Sequence, residues 1–168
     1  GLKHDLDDIL TPVERLLSGV ELTRECSNRT LDSIISVGER ISVTILARAL
    51  NERDVPAIAV DARDFVVTDT TFGAAAVDKA ETTRKFAEVS AKWTGHVPII
   101  TGFIGKTKDG QTTTLGRNGS DYTATLIAGL LKASAVTVWT DVLGVMTADP
   151  ALVREAEASP SRALDGVE

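Results

Sequence analysis

Thr113-Thr114-Leu115-Gly116-Arg117-Asn118-Gly119-Ser120-Asp121-Tyr122-Thr123-Ala124 passes from a β-branched segment through two glycines into a helical pattern, and that passage decides the fold. Thr112 to Leu115 reads as a strand and Gly119 to Lys132 as a helix. Gly116 and Gly119 remove side chains that would hold a ligand off the backbone. Ser120 and Asp121 fall where a helix start leaves N–H groups without partners. Such a terminus attracts anions, and Arg117 adds a planar fork suited to a carboxylate or phosphate. A tight turn with Ser120 or Asp121 as a plain helix cap accounts for the same pattern, so the two explanations stand side by side. The stretch lacks the glycine-lysine-serine/threonine ending of a Walker A loop.

Working outward, Val97 to Thr101 is a short apolar run read as a buried strand, followed by a loop or hairpin over Gly102 to Gly110. Asp78 to Lys92 reads as a helix, and Val55 to Val60 and Phe65 to Val67 as strands. Further upstream, Leu31, Ile34, Ile35, Ile41, Ile45, Leu46 and Ala49 recur at helical spacing as far as about Asn51. Within that run Glu39 follows Gly38, which places it at a helix start or kink. Thr11, Pro12 and Glu14 have the form of an N-cap, a first-position proline and a capping-box carboxylate, opening a helix striped by Val13, Leu16, Leu17 and Val20. Downstream, Ala135 to Thr140 reads as another strand. Strands alternating with helices predict an α/β fold, with a largely parallel sheet covered by helices on both faces and ligands beyond the carboxyl ends of its strands.

Such a strand end supplies a second candidate site. Trp139-Thr140-Asp141-Val142-Leu143-Gly144-Val145-Met146-Thr147-Ala148-Asp149-Pro150 puts a hydroxyl and a carboxylate after a buried run, placed to meet a nucleotide or a hydrated magnesium ion. Turn chemistry at Asp141 and before Pro150 is the simpler alternative.

Composition narrows the field. The 168 residues suffice for one domain, and 43% apolar with 25% charged residues is a globular balance. With 18 basic against 24 acidic side chains the net charge is −6, so no general field draws in nucleic acid or an anionic membrane. The most apolar stretch, Ala124 to Leu131, is far shorter than a membrane span, and Lys3, His4, Asp5, Asp7 and Asp8 stand where a secretory signal would be apolar. A cytoplasmic or plastid protein is expected. Cys26 is the only cysteine, and His4 and His96 stand apart, so no metal centre is predicted.

Gly38-Glu39, Ile100-Thr101-Gly102-Phe103-Ile104-Gly105, the loop Thr114 to Ala124, and Trp139-Thr140-Asp141-Val142, in that order and spacing, resemble the aspartate kinases of the amino acid kinase superfamily. The resemblance runs from about Leu31 to about Val153. Asn118 is similar to the bifunctional aspartokinase/homoserine dehydrogenase branch. The resemblance implies a three-layer α/β/α sandwich, incomplete at its N-terminus because the family's lysine-phenylalanine-glycine-glycine motif is not among these residues. It implies residues 1–157 as a partial kinase domain and 158–168 as a loosely ordered tail. The implied reaction converts ATP and L-aspartate, with Mg²⁺, to ADP and 4-phospho-L-aspartate, the first step toward lysine, threonine and methionine.

Roles follow from the same resemblance. Glu39 and Arg117 would hold the amine and carboxylate of aspartate with help from Ser120, and Phe103 would line the pocket. Asp121 would organise the phosphoryl-transfer centre, while Thr140, Asp141 and Met146 would meet the nucleotide. Met146 stands where relatives carry tyrosine and Ala151 where they carry arginine, which implies a weakened grip on the nucleotide. Without the phosphate-binding lysine, low activity is expected. A missing first strand would expose edge and core, which favours homo-oligomers. Against this stand another kinase of the superfamily with an acetylglutamate or nucleotide acceptor, and a non-catalytic ligand-binding module. No glycine-x-glycine-x-x-glycine supports a dinucleotide site.

Overall fold

The computed structural model describes residues 1–139 and 152–153. The chain divides into two compact units, Gly1–Val136 and Thr137–Glu168, and every helix and strand below lies in the first. Two long helices open it, α1 (Leu2–Thr23) and α2 (Asn28–Asn51). Then come β1 (Ala57–Val60), β2 (Val67–Thr68), α3 (Lys79–Ser90), β3 (Val97–Ile100), β4 (Ile104–Thr107), β5 (Thr112–Thr114) and α4 (Gly119–Leu131).

The strands form two ladders. β1 lies parallel to β3, with Ala57 opposite Val97 and Val60 opposite Ile100. β2 lies parallel to β4, and β4 turns back antiparallel onto β5, pairing Ile104 with Thr114 and Lys106 with Thr112. The expected loop or hairpin is therefore a hairpin, turned at Gly110 with φ +84°. The expected α/β class holds, with helix–sheet–helix layering: α2 packs on β1, β3 and β5, while α3 and α4 contribute to a core with Val60, Phe65, Val66 and Ile104. Phe65, Phe86 and Trp93 meet edge to face there, with centroids 5.3 to 6.2 Å apart. Buried threonines tie the layers together: the Thr101 hydroxyl accepts the Ala62 N–H at 2.7 Å, and Thr82 accepts that of Val67 at 3.0 Å.

Four expectations need correction. The first helix does not start at Thr11; it begins at Leu2 and carries Pro12 in its interior. Proline costs about 3 kcal/mol inside a helix, but Pro12 faces solvent while Ile9 and Val13 pack on Val37 of α2, and that packing holds the turn helical. The strand expected at Phe65 to Val67 is only Val67–Thr68, because Phe65 closes a 3-10 turn over Ala62–Asp64 that drives its ring into the core. Residues 135–139 take no strand conformation, and Thr140, the last residue of the strand expected there, lies outside the described residues.

The fourth correction concerns α2. The apolar residues read along its helical pattern divide: Ile34 and Ile41 pack against Ile9, Val13 and Val37, while Leu31, Ile35, Ile45 and Leu46 are 41–49% exposed. The inward residues are Asp32, Ser36, Val37, Val43 and Ala47. Among the described residues no helix is long and apolar enough to cross a membrane.

Candidate functional site

Glu39 lies in the middle of α2, not at a start or kink, and is half-buried. Its Oε2 accepts the N–H of Gly102 at 3.3 Å, in the turn just past the carboxyl end of β3. That turn lies against the start of α4. A Cβ on Gly102 would stand 3.0 Å from both Cβ and Oγ of Ser120, and a Cβ on Gly119 would stand 2.8 Å from a ring carbon of Phe103. Phe103 donates its N–H to Thr123 Oγ1 at 3.1 Å and accepts from Leu115 N at 2.8 Å. Its φ of +67° is a left-handed conformation that a bulky residue adopts only at a cost of about 1–3 kcal/mol.

The loop from β5 into α4 turns through Gly116 at φ +77° and Asn118 at φ +60°. Asn118 occupies the N-cap position of α4 without a side-chain hydrogen bond. The plain-cap explanation for Ser120 and Asp121 therefore falls: both sit within the first turn, exposed, and neither caps it. Arg117 is exposed on the same loop and makes no ion pair among the described residues. Thus Glu39, Phe103 and Ser120 are brought together through Gly102 and Gly119, and Arg117 and Asp121 flank them along the chain. Thr140, Asp141 and Met146, the nucleotide-side expectations, lie outside the described residues, as does Ala151.

Beside Glu39, at the carboxyl end of β1, sits an ion cluster that sequence patterns did not single out. Asp61 receives Arg63 through both carboxylate oxygens at 2.6 to 3.0 Å, with the Arg40 Nε 3.3 Å away, and Arg63 also donates to Thr112 Oγ1 at 2.9 Å. Burial pushes the Asp61 carboxyl up, but hydrogen bonds and charge from Arg63, with Arg40's charge, outweigh it and leave the group below the ordinary carboxylate range. Arg40 is lowered, first by burial and then by Arg63. Arg40, Asp61 and Thr101 border a hollow of about 170 Å³ there. The chain signal was Asp61 and Arg63 directly after a predicted strand.

A larger hollow, about 480 Å³, opens at the carboxyl ends of β2 and β4 between Thr68, Asp69, Asp78 and Lys108. It contains none of the expected residues; Lys108 is paired to Asp78 at 3.0 Å, Asp69 accepts the N–H groups of Thr71 and Ala76, and Asp109 on the same rim makes no ion pair among the described residues. Another missed residue is Asp32, buried under the loop and bonded to Gly73 and Thr114. No group of three acidic, histidine or cysteine side chains is gathered as a metal site among the described residues.

Comparison with known proteins fits this geometry. The sequence matches the amino acid kinase family over residues 4–162. It is 40% identical over 151 residues to the lysine-sensitive aspartokinase 3 of Escherichia coli (strain K12), covering 86% of this chain and 34% of that protein. It is 38% identical over 161 residues to the chloroplastic aspartokinase 1 of Arabidopsis thaliana, covering 93% and 28%. The fold superposes on the crystal structure of E. coli aspartokinase III in complex with aspartate and ADP, R-state, with a TM-score of 0.86 and 37% identity over 94% of this chain and 35% of that one. The T-state of that enzyme, in complex with lysine and aspartate, gives 0.81. The chain spans about a third of the length of these relatives.

Proposed function

The chain belongs to the amino acid kinase family, and from that premise we propose that it carries the acceptor-binding part of an aspartate kinase, which passes the γ-phosphoryl group of ATP to the side-chain carboxylate of L-aspartate. The observation that supports this assignment is the Glu39–Gly102–Ser120 contact, which joins a carboxylate to the helix start that follows the Arg117 loop. A zwitterion asks for that combination: an anion for its ammonium group, and a guanidinium with free N–H groups for its carboxylates.

In this scheme Glu39 holds the amine, Arg117 and Ser120 hold the α-carboxylate, and Phe103 walls the pocket. Asp121 faces the phosphoryl-transfer centre from the first turn of α4. Thr140, Asp141 and Met146 belong to the nucleotide side. Magnesium would supply charge neutralisation on the transferring phosphates. Asp121 and Asp141 are the carboxylates of this set that would be offered to it beside the nucleotide's own oxygens. The protein's share is to orient the acceptor carboxylate and exclude competing geometries. Residues 1–157 would form the kinase portion, acting at the first step toward lysine, threonine and methionine. The outward apolar face of α2 favours homo-oligomers, which sedimentation would reveal as a mass above that of one chain.

Titration calorimetry with L-aspartate, L-glutamate, N-acetylglutamate and uridine monophosphate tests the assignment. Aspartate is expected to bind most tightly, and Arg117→Ala to abolish the heat. Tighter binding of any other acceptor would reject it.

A further inference from the structure

Asp32 is the only acidic or basic side chain among the described residues that is fully buried, at 1% exposure. Its Oδ2 accepts the N–H groups of Gly73 at 2.9 Å and Thr114 at 3.0 Å, and its Oδ1 accepts the Thr114 hydroxyl at 2.8 Å. Every partner is a donor, so the group serves purely as an acceptor joining α2 to two segments far along the chain. We propose that Asp32 is a positioning residue: it holds the Arg117 loop at a set distance from Glu39, and so fixes the spacing of the two charges that grip the acceptor. This rests on the aspartate-binding role given to those two residues above.

The geometry runs through α2 as a ruler. Asp32 and Glu39 are seven residues apart, two helical turns, which puts them on one face and roughly 10 Å apart along the axis. One end of the ruler, Asp32, grips Thr114, the last residue of β5 and three residues before Arg117. The other end, Glu39, grips Gly102, which abuts Ser120 three residues after Arg117. Asp32 also holds Gly73, whose carbonyl oxygen lies 3.2 Å from where a Cβ on Gly116 would be, so both walls of the Gly116 turn hang on one carboxyl group.

Adhesion alone does not call for this arrangement. Val43 and Ala47 bury α2 on the sheet without desolvating a polar group, and replacing a buried polar contact by apolar packing is often neutral or stabilising. A three-bond clamp, on two backbone N–H groups and the Thr114 hydroxyl, contributes register, which apolar contact does not supply.

Asp32→Asn and Thr114→Val test the clamp through two readouts, amide hydrogen exchange followed by NMR and calorimetric titration with L-aspartate, both well below each variant's melting temperature. Asp32→Asn is expected to speed exchange selectively at Gly73 and residues 114–119, leaving Gly102 and Thr123 unchanged. It should also weaken aspartate roughly tenfold, well within the cost of a displacement of about 1 Å. Thr114→Val, which loses one bond of three, should shift both readouts in the same direction by less, and carries the test if Asp32→Asn does not fold. Unchanged exchange at 114–119 with unchanged aspartate affinity would overturn the proposal, as would faster exchange spread evenly over the chain. If the unaltered protein takes up no aspartate, the acceptor assignment fails, while the exchange pattern still decides the clamp.

Discussion

Gly102 and Ser120 touch closely: a Cβ on residue 102 would lie 3.0 Å from the Cβ and Oγ of Ser120 and 3.1 Å from its Cα, so α4 would have to give by a few tenths of an ångström. The turn after β3 therefore rests directly on the first turn of α4. Glu39 binds the Gly102 N–H in the turn after β3.

Filling that contact moves α4. Gly102→Ala and Gly119→Ala are each expected to cost about 1–3 kcal/mol in urea denaturation. Gly119→Ala should be the worse, because its Cβ would meet Phe103 at 2.8 Å. Both should weaken aspartate binding. Gly110→Ala, at a hairpin position with nothing within 4 Å, should pay only the left-handed backbone cost of about 1–2 kcal/mol and leave aspartate affinity alone.

Glu39→Gln separates structure from binding. The amide oxygen can still accept the Gly102 N–H, so the melting temperature should stay near that of the parent. Under the assignment proposed above, in which Glu39 holds the amine, losing its charge should weaken aspartate roughly 10–100-fold by calorimetry. A variant that melts much earlier, with affinity intact, would contradict the assignment.

Removing the carboxylate of the Asp61 cluster leaves two guanidinium groups about a fifth exposed and facing each other. Asp61→Asn should cost about 2 kcal/mol. The pH dependence follows from the low Asp61 value: the unfolded chain takes up the proton first as pH falls, so the pair's stabilisation is present above about pH 4 and is lost as pH drops through the folded value. Melts between pH 3 and pH 6 should show a shallower acid slope in Asp61→Asn than in the parent. The residual slope comes from Asp78, held low by the Glu81 N–H and then Lys108, from Asp69, held low by the Thr71 and Ala76 N–H groups, and from Glu81, held low by Arg84.

Phe86→Ala opens the aromatic cluster between Phe65 and Trp93, all three of which are buried. A loss of about 3–5 kcal/mol is expected in chemical denaturation. A loss below 1 kcal/mol would mean the cluster is not the centre of the core.

Much of this molecule is legible along the chain. The elements from Ala57 to Leu131 lie close to where β-branched runs, apolar spacing and glycines put them, because those signals act over a few residues. The glycine loop with Arg117 was legible as a candidate anion site, while Gly38-Glu39 read as ordinary helix residues and gained a role only through the resemblance. Asp32 was not: in a helix with an apolar stripe it reads as an ordinary polar position. Its partners are 41 and 82 residues away. The Asp61 cluster was hidden for the same reason, since Arg40 comes from a different helix.

The sequence by itself determined the alternation of helices and strands and the chemistry available at positions 39, 103, 117, 120 and 121, because residue type and near-neighbour propensity are properties of the chain. Only the tertiary structure decided which side of α2 faces inward. Periodicity spreads apolar residues round the helix, with Ile34 and Ile41 against α1 and Ile35 and Leu46 beside Glu39, whereas the N–H groups of Gly73, Gly102 and Thr114 need acceptors, and Asp32 and Glu39 supply them. Hydrogen-bond demand from distant backbone, which no local pattern records, set the orientation of the helix and with it the place of Glu39.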